Sequence, residues 1–258
     1  MLIGKTGSPT TSISTADAKS ITVRGRDLTS DLMGRLSFTE YFYLLTTGQE
    51  PTADQRFFLD LLLVAIAEHG LVPTNQVARM TLAAAPDSLQ GAVAAGILGC
   101  GTVVLGTAEL CGKFLTDAQA KITNTETTLT EIVTSVRASG DKLPGFGHPI
   151  HKPVDPRTER IFALADEKGV SGQYIALARA TDQAVLDVYG KKLSMNVSMA
   201  IAALLLDLDF PASMIKAIPI LARTGGLLAH LAEEQQNPIG FLMAHNAEDA
   251  ISYEPDDE

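Results

Sequence analysis

The densest concentration of reactive side chains in this sequence is the run Leu143-Pro144-Gly145-Phe146-Gly147-His148-Pro149-Ile150-His151-Lys152-Pro153-Val154-Asp155-Pro156-Arg157. Its glycines let backbone approach a ligand closely, Pro156 suits the first turn of a following helix, and Arg157 then lies near that helix's positive end. Imidazole exchanges protons near neutral pH, which makes His148 a candidate acid–base group and the whole run a candidate anion site. From residue types alone, the same run also reads as a proline-rich turn carrying a surface histidine.

Helices must hold such a loop. Apolar residues recur at helical spacing over Phe38 to Thr46 and over Ala53 to Glu68, the second opening after Pro51-Thr52 and stopping at Gly70, so His69 falls at a helix C-terminus. Further helices are predicted over Asn75 to Ala85, Ser88 to Leu115, Thr128 to Ala138, Pro156 to Lys168, Gln173 to Tyr189, Asn196 to Leu206 and Pro211 to Glu234, with glycine or proline at nearly every junction. Residues 1–37 are polar and read as an arm, with Ile21-Thr22-Val23 a short extended piece. No strand-like alternation rivals the helical patterns. The acidic tail from Asn246 to Glu258 belongs on the surface.

Composition supports an all-α fold. Apolar residues make up 46% of 258, enough for a substantial core, while aromatics are only 5% and Trp is absent, which favours closely packed helices. A formal charge of −10 disfavours nucleic acid and anionic lipid as partners, so an anionic ligand needs a local basic cluster. Cys100 and Cys111 are the only cysteines and support neither a disulfide framework nor a metal site; a reduced cytoplasm fits. The opening MLIGKTGSPTTSIST has no apolar core of a secretory signal, so none is expected. Gly91 to Ala108 is uncharged and long enough to span a membrane, yet five glycines and the flanking Glu109 and Lys113 favour a buried helix pair.

The string P-G-F-G-H-P-I-H-K-P-V-D-P-R resembles the P-G-(F/Y/I)-G-H-x-(V/I)-x-(K/R)-x-x-D-P-R loop of citrate synthases and their lyase relatives. Ile21 to Leu28 is similar to the family's I-x-Y-R-G-x-D-I, and Phe38 to Pro51 to its F-x-E-x-x-x-L-L-x-x-G-x-x-P stretch. Ala67-Glu68-His69-Gly70 resembles the A-D-H-G turn, Met195-Asn196-Val197 the N-V-D segment, and Ala222-Arg223-Thr224-Gly225-Gly226 with His230 the late arginine helix. The resemblance covers most of the chain. Its shortness and its A-E-H-G turn bring it nearer the citryl-CoA lyase module, of the kind found in ATP-citrate lyase, than full-length citrate synthase.

The resemblance implies an all-α citrate synthase-like fold: a large helical domain of residues 1–115 and 209–258, and a small one of 116–208 closing over the active site of a homodimer or higher homo-oligomer. It implies a coenzyme-A-dependent carbon–carbon lyase cleaving citryl-CoA, or a related 3-hydroxy-3-carboxyacyl-CoA, into acetyl-CoA and an oxo acid. Coenzyme A enters as the acyl-CoA substrate, and no metal is expected. By position, His69, His148, Arg157 and Arg223 match the residues that hold the acid, since the planar guanidinium fork suits carboxylates. His148 is expected to bond an oxo-acid carbonyl or take the hydroxyl proton in cleavage. Leu143, Pro144, Gly145, Phe146 and Gly147, with Lys152, match the coenzyme A contact region. His230, one turn along an apolar helix face with Leu227 and Leu231, is read as structural. His151 is either a surface residue or an acid working through another group.

Three positions depart from the family pattern. Ser198 stands where the catalytic Asp follows Asn-Val, and a hydroxyl is no unassisted base; Glu109, His151 or a water held by Ser198 are the candidate replacements. The histidine that precedes the helix in citrate synthases falls near Val104 to Gly106 and is absent. Near the C-terminus His245 appears where relatives contribute an arginine across the dimer, which points to an acid with one fewer carboxylate or a different acid. Alternatives to the lyase are a catalytically altered acyl-CoA-binding homologue or partner subunit, and a synthase running the condensation. Thioester hydrolysis lacks a Ser/His/Asp arrangement to support it.

Overall fold

The computed structural model describes residues 9–148 and 150–255; the opening residues 1–8, on which part of the leader expectation rests, and the last three of the acidic tail lie outside them. Contacts group the chain into two units, Met1–Asp60 and Leu61–Glu258.

In the first unit the expected arm is instead a three-stranded antiparallel meander, β1 (Ser14–Ala16), β2 (Ile21–Val23) and β3 (Arg26–Asp27), with Val23 opposite Arg26. Arg24 and Gly25, at φ of 49° and 76°, make the two-residue turn, because a tight hairpin needs left-handed backbone there. Asp27 then accepts the backbone N–H groups of Thr29 and Ser30 and caps a π-helical turn, Leu28–Leu32. Helix α1 (Phe38–Thr47) opens with a Ser37/Glu40 capping box and ends at left-handed Gly48. Val23, Leu32 and Leu44 close a small core that the polar composition of the segment did not suggest. Helix α2 (Ala53–Ala67) carries the chain into the second unit.

That unit is helical: α3 (Pro73–Ala84), α4 (Leu89–Leu98), α5 (Thr107–Thr125), α6 (Leu129–Ala138), α7 (Pro156–Glu167), α8 (Gln173–Tyr189), α9 (Val197–Asp207), α10 (Ala217–Gln236) and α11 (Gly240–Ala250). Every residue of α9 except Ser198 and Asp207 is buried, as a helix apolar on all faces must be, and α5, α7 and α8 pack around it. The other group is α3 with α4, α10 and α11.

Helix α11 has no counterpart in the sequence expectation, and two further stretches differ from it. The pattern over Ser88 to Leu115 is broken at residues 99–106, where the Gly106 N–H bonds the Gly101 carbonyl and Leu105 takes a φ of 65°; a Cβ on Gly106 would sit 2.4 Å from that carbonyl oxygen. The segment from Pro211 begins as a 3-10 turn, Ala212–Met214, before α10. The stretch Ala212–Gln236 is long and apolar enough to cross a membrane, yet it packs on α3 and α4 and buries Arg223 and Glu234, so its apolar character serves a protein core.

Candidate active site

The glycine–histidine loop is positioned by backbone pairing. Gly147 N donates to the Ser194 carbonyl at 2.7 Å, Asn196 N to the Gly145 carbonyl at 2.9 Å, and Asn196 Nδ2 to the Gly147 carbonyl at 3.0 Å. A Cβ on Gly145, whose φ is 81°, would lie 2.8 Å from Met199 and 2.9 Å from the Cys111 sulfur, so the loop packs on α9 and α5 where only glycine fits.

Asp155 joins two helix starts. Its carboxylate caps α7 through Arg157 N at 3.1 Å, reaches Val197 N at the start of α9 at 3.1 Å, and holds the Arg157 guanidinium through Nε at 3.0 Å and Nη2 at 2.8 Å. Burial works to raise the Asp155 pKa, and the Arg157 guanidinium with the two N–H groups outweighs it, leaving the carboxyl below its ordinary value. The Asp-Pro-Arg triplet is therefore an N-cap, a first-turn proline and an arginine whose charge is already matched.

Three imidazoles converge. Ring centres of His148 and His151 lie 4.4 Å apart, those of His69 and His151 5.4 Å, and those of His69 and His148 5.6 Å; His69 Nε2 is 3.2 Å from His151 Nε2. His148 Nδ1 accepts the backbone N–H groups of Ile150 at 3.1 Å and His151 at 2.9 Å. A neutral His148 therefore carries its proton on Nε2 and presents a donor to the cavity. The nitrogens of the trio lie within 4.8 Å of one another, but a neutral ring tied at Nδ1 has no free lone pair for an ion at Nε2, so the donor set suits hydrogen bonding rather than metal ligation. Burial first, then Arg157 and His151, lowers the His69 pKa; burial, then His151, lowers that of His148 against the opposing Asp155.

His69 is placed by the turn after α2, where Glu68 accepts His69 N at 2.9 Å and Gly70 N at 2.6 Å. The turn also needs Gly226, since a Cβ there would stand 2.1 Å from the Ala67 carbonyl oxygen. Behind it runs a polar chain. Arg223 Nη1 donates to Asn75 Oδ1 at 2.9 Å, Asn75 Nδ2 donates to the Gly70 carbonyl at 2.7 Å, His230 Nε2 meets Glu68 at 3.0 Å, and buried Arg79 bonds Glu233 and Glu234. Arg223 is 3% exposed, forms no ion pair among the described residues, and its Nε is buried without a hydrogen-bond partner. Burial lowers its pKa while Glu68 opposes that, and a guanidinium stays charged regardless.

A cavity of about 380 Å³ collects His69, His148, Arg157, Ser198 and Arg223. It shares Val103, Thr107, Gly147 and Asn196 with a neighbouring cleft of about 600 Å³ that Leu143, Pro144, Gly145 and Phe146 also line. Lys152 lies exposed and lines neither space; Lys113 and Lys142 are the cations of the larger cleft. Glu109 pairs with Lys216 at 3.8 Å and His245 with Asp249 at 3.4 Å, none of the four lining either space, whereas His151 touches His69. Sequence reasoning missed Asn75, Asn196 and the capping role of Asp155, although Asp immediately before Pro-Arg is a helix-start signal that could have found the last.

Residues 37–240, most of the chain, match the family described as citrate synthase, C-terminal domain. The chain belongs to the citrate synthase family. Its relatives include a citrate synthase-like protein of Aspergillus oryzae, 28% identical over 225 residues that span 83% of this chain and 49% of the relative, and the citrate synthase of Heyndrickxia coagulans, 28% identical over 207 residues, 78% and 53%. The chain thus spans about half the length of the curated relatives it matches. Among solved structures, citryl-CoA lyase from Hydrogenobacter thermophilus superposes with a TM-score of 0.85 at 30% identity, over 96% of this chain and 95% of that one. ATP citrate lyase of Methanothrix soehngenii, solved with citrate and coenzyme A, gives 0.79 at 22% identity over 99% and 43%, a likeness of fold. The helical citrate synthase-like fold expected from the motifs is the observed one.

Proposed function

We propose that this citrate synthase family member is a coenzyme-A-dependent carbon–carbon lyase, cleaving citryl-CoA or a related 3-hydroxy-3-carboxyacyl-CoA into acetyl-CoA and a 2-oxo acid. The observation that carries the proposal is Arg223, a buried guanidinium without a carboxylate, opening into the same cavity as His69 and His148. A buried cation calls for an anion, and a carboxylate there places the adjoining carbon beside the imidazoles. The likeness to a citryl-CoA lyase, at 30% identity over 96% of this chain, supports cleavage.

Cleavage breaks the bond between the hydroxyl-bearing carbon and the thioester's α-carbon. The hydroxyl proton leaves to a base, the bonding pair passes to the thioester enolate, and the enolate takes up a proton. His148, whose Nε2–H can only donate while the ring is neutral, stabilises the forming carbonyl oxygen rather than removing the proton. His69 takes the hydroxyl proton, its Nε2 facing that of His151. Proton return to the enolate falls to a water at Ser198 or to His151. The Leu143–Gly147 backbone, with Lys113 and Lys142, receives the coenzyme A portion. Closure of residues 116–208 as a small domain over a large one, a homodimeric cytoplasmic protein, and no nucleic-acid or membrane partner belong to the same proposal.

The test is mass spectrometry of the protein incubated with citryl-CoA and, separately, citramalyl-CoA, beside His148→Ala. Acetyl-CoA with oxaloacetate or pyruvate, abolished in the variant, is the expected result. Intact thioesters, with a melting shift on adding coenzyme A, would leave an acyl-CoA-binding homologue instead.

A further inference from the structure

The cavity holding Arg223 and the imidazoles has little positive charge to offer and a largely apolar wall. Its lining includes two guanidiniums, no lysine and no carboxylate. Asp155, bonded to both Nε and Nη2 of Arg157, matches that charge. Burial and neighbouring cations keep His69 and His148 neutral near pH 7. Arg223 has no carboxylate partner in the cavity lining; the Glu68 carboxylate acts on it only from the turn behind. The rest of the wall is supplied largely by Ile66, Val72, Val104, Leu105 and Ile150. Leu105 is 8% exposed and held at a φ of 65°, a backbone state that a leucine adopts only when its surroundings impose it, so the apolar wall is built in at a conformational cost.

Resting on the lyase proposal above, we infer that the acid half of the substrate carries a single carboxylate and an apolar substituent, in place of the second carboxylate of citrate. The substrate class is a 3-hydroxy-3-alkyl-3-carboxypropionyl-CoA. Its cleavage yields acetyl-CoA and a 2-oxo acid with an apolar chain, pyruvate being the smallest. The carboxylate lies between Arg223 and the remaining donors of Arg157, and the alkyl group lies against Val104 and Leu105. A second carboxylate in that space would find no further free cation in the lining, which is unfavourable for an anion taken from bulk water.

The experiment compares kcat/KM for citryl-CoA, citramalyl-CoA and the ethyl homologue of citramalyl-CoA, using the full chain and its Val104→Arg variant. The single-carboxylate substrates are expected to exceed citryl-CoA by about tenfold or more, the discrimination an apolar pocket reaches, and Val104→Arg to reduce that ratio. Citryl-CoA cleaved as well or better would overturn the inference and leave the lyase proposal standing, as when a partner subunit brings a second cation. If no thioester is cleaved the lyase proposal fails, and stabilisation of the wild-type protein by 2-oxobutyrate against oxaloacetate then decides the pocket's preference. Greater stabilisation by 2-oxobutyrate upholds it; equal, greater or sole stabilisation by oxaloacetate, or none by either acid, overturns it. The same binding comparison on the wild type serves if Val104→Arg does not fold.

Discussion

Arg223 is a buried cation whose hydrogen-bonding groups the described residues leave partly unsatisfied. It is buried, bonded to the neutral Asn75 side chain, and its Nε has no hydrogen-bond partner. Replacing it with Met should lower kcat/KM by about a hundredfold or more, the loss seen when one partner of a buried charge pair is removed, while leaving thermal stability unchanged or higher because an unmatched cation has gone. Lysine should not rescue it, lacking the planar fork. Ser198→Asp should gain exchange of acetyl-CoA methyl protons with solvent, followed by NMR in D₂O, because it returns a carboxylate to the cavity wall. The two histidines set a pH dependence. Both have pKa values below the ordinary 6.5, so the neutral rings persist on acidification through that value. The unfolded chain binds more protons than the folded one just below pH 6.5. Stability is therefore full above that pH and is lost as pH falls through the lowered folded values, together with turnover; melting temperature and rate from pH 5 to 8 check both.

At the scale of elements, the site depends on the pairing of the 145–147 loop with residues 194–196 and on Asp155 at the joined starts of α7 and α9. Gly145→Ala forces a Cβ into Met199 and the Cys111 sulfur on a backbone already at φ 81°. It should cost about 2–4 kcal/mol by denaturant unfolding, from overpacking plus left-handed strain, and shift His148 enough to lower turnover in whatever protein folds. Gly147, at φ 91° with open space beside it, separates the two effects: alanine there brings strain without overpacking and should be the milder change.

At the scale of the whole molecule, the second unit leaves large apolar side chains exposed, among them Leu98, Phe241 and Tyr253 at 86%, 70% and 89%. Solvent-facing apolar groups of this size suit an interface between copies. Sedimentation equilibrium should give twice the chain mass of 27.3 kDa; a concentration-independent monomer would remove the dimer from the proposal.

Most helix positions, though not α11, the placing of His69 after a helix end and the run from Gly145 to Arg157 could be read from the sequence, because helical spacing, glycine and proline act over a few residues. The glycine–histidine motif also carried the family, since its order of residues is itself specific. Tertiary structure alone decided which residues meet. His69 and His151, 82 positions apart, face each other at 3.2 Å, and Arg223 reaches Asn75 across 148 positions. It also decided charge: Arg157 is matched by Asp155 two residues away while Arg223 is not, and local sequence does not reveal which carboxylates burial brings within bonding distance. The break at residues 99–106 was hidden for the same reason, being set by a carbonyl contact and a left-handed leucine rather than by apolar spacing.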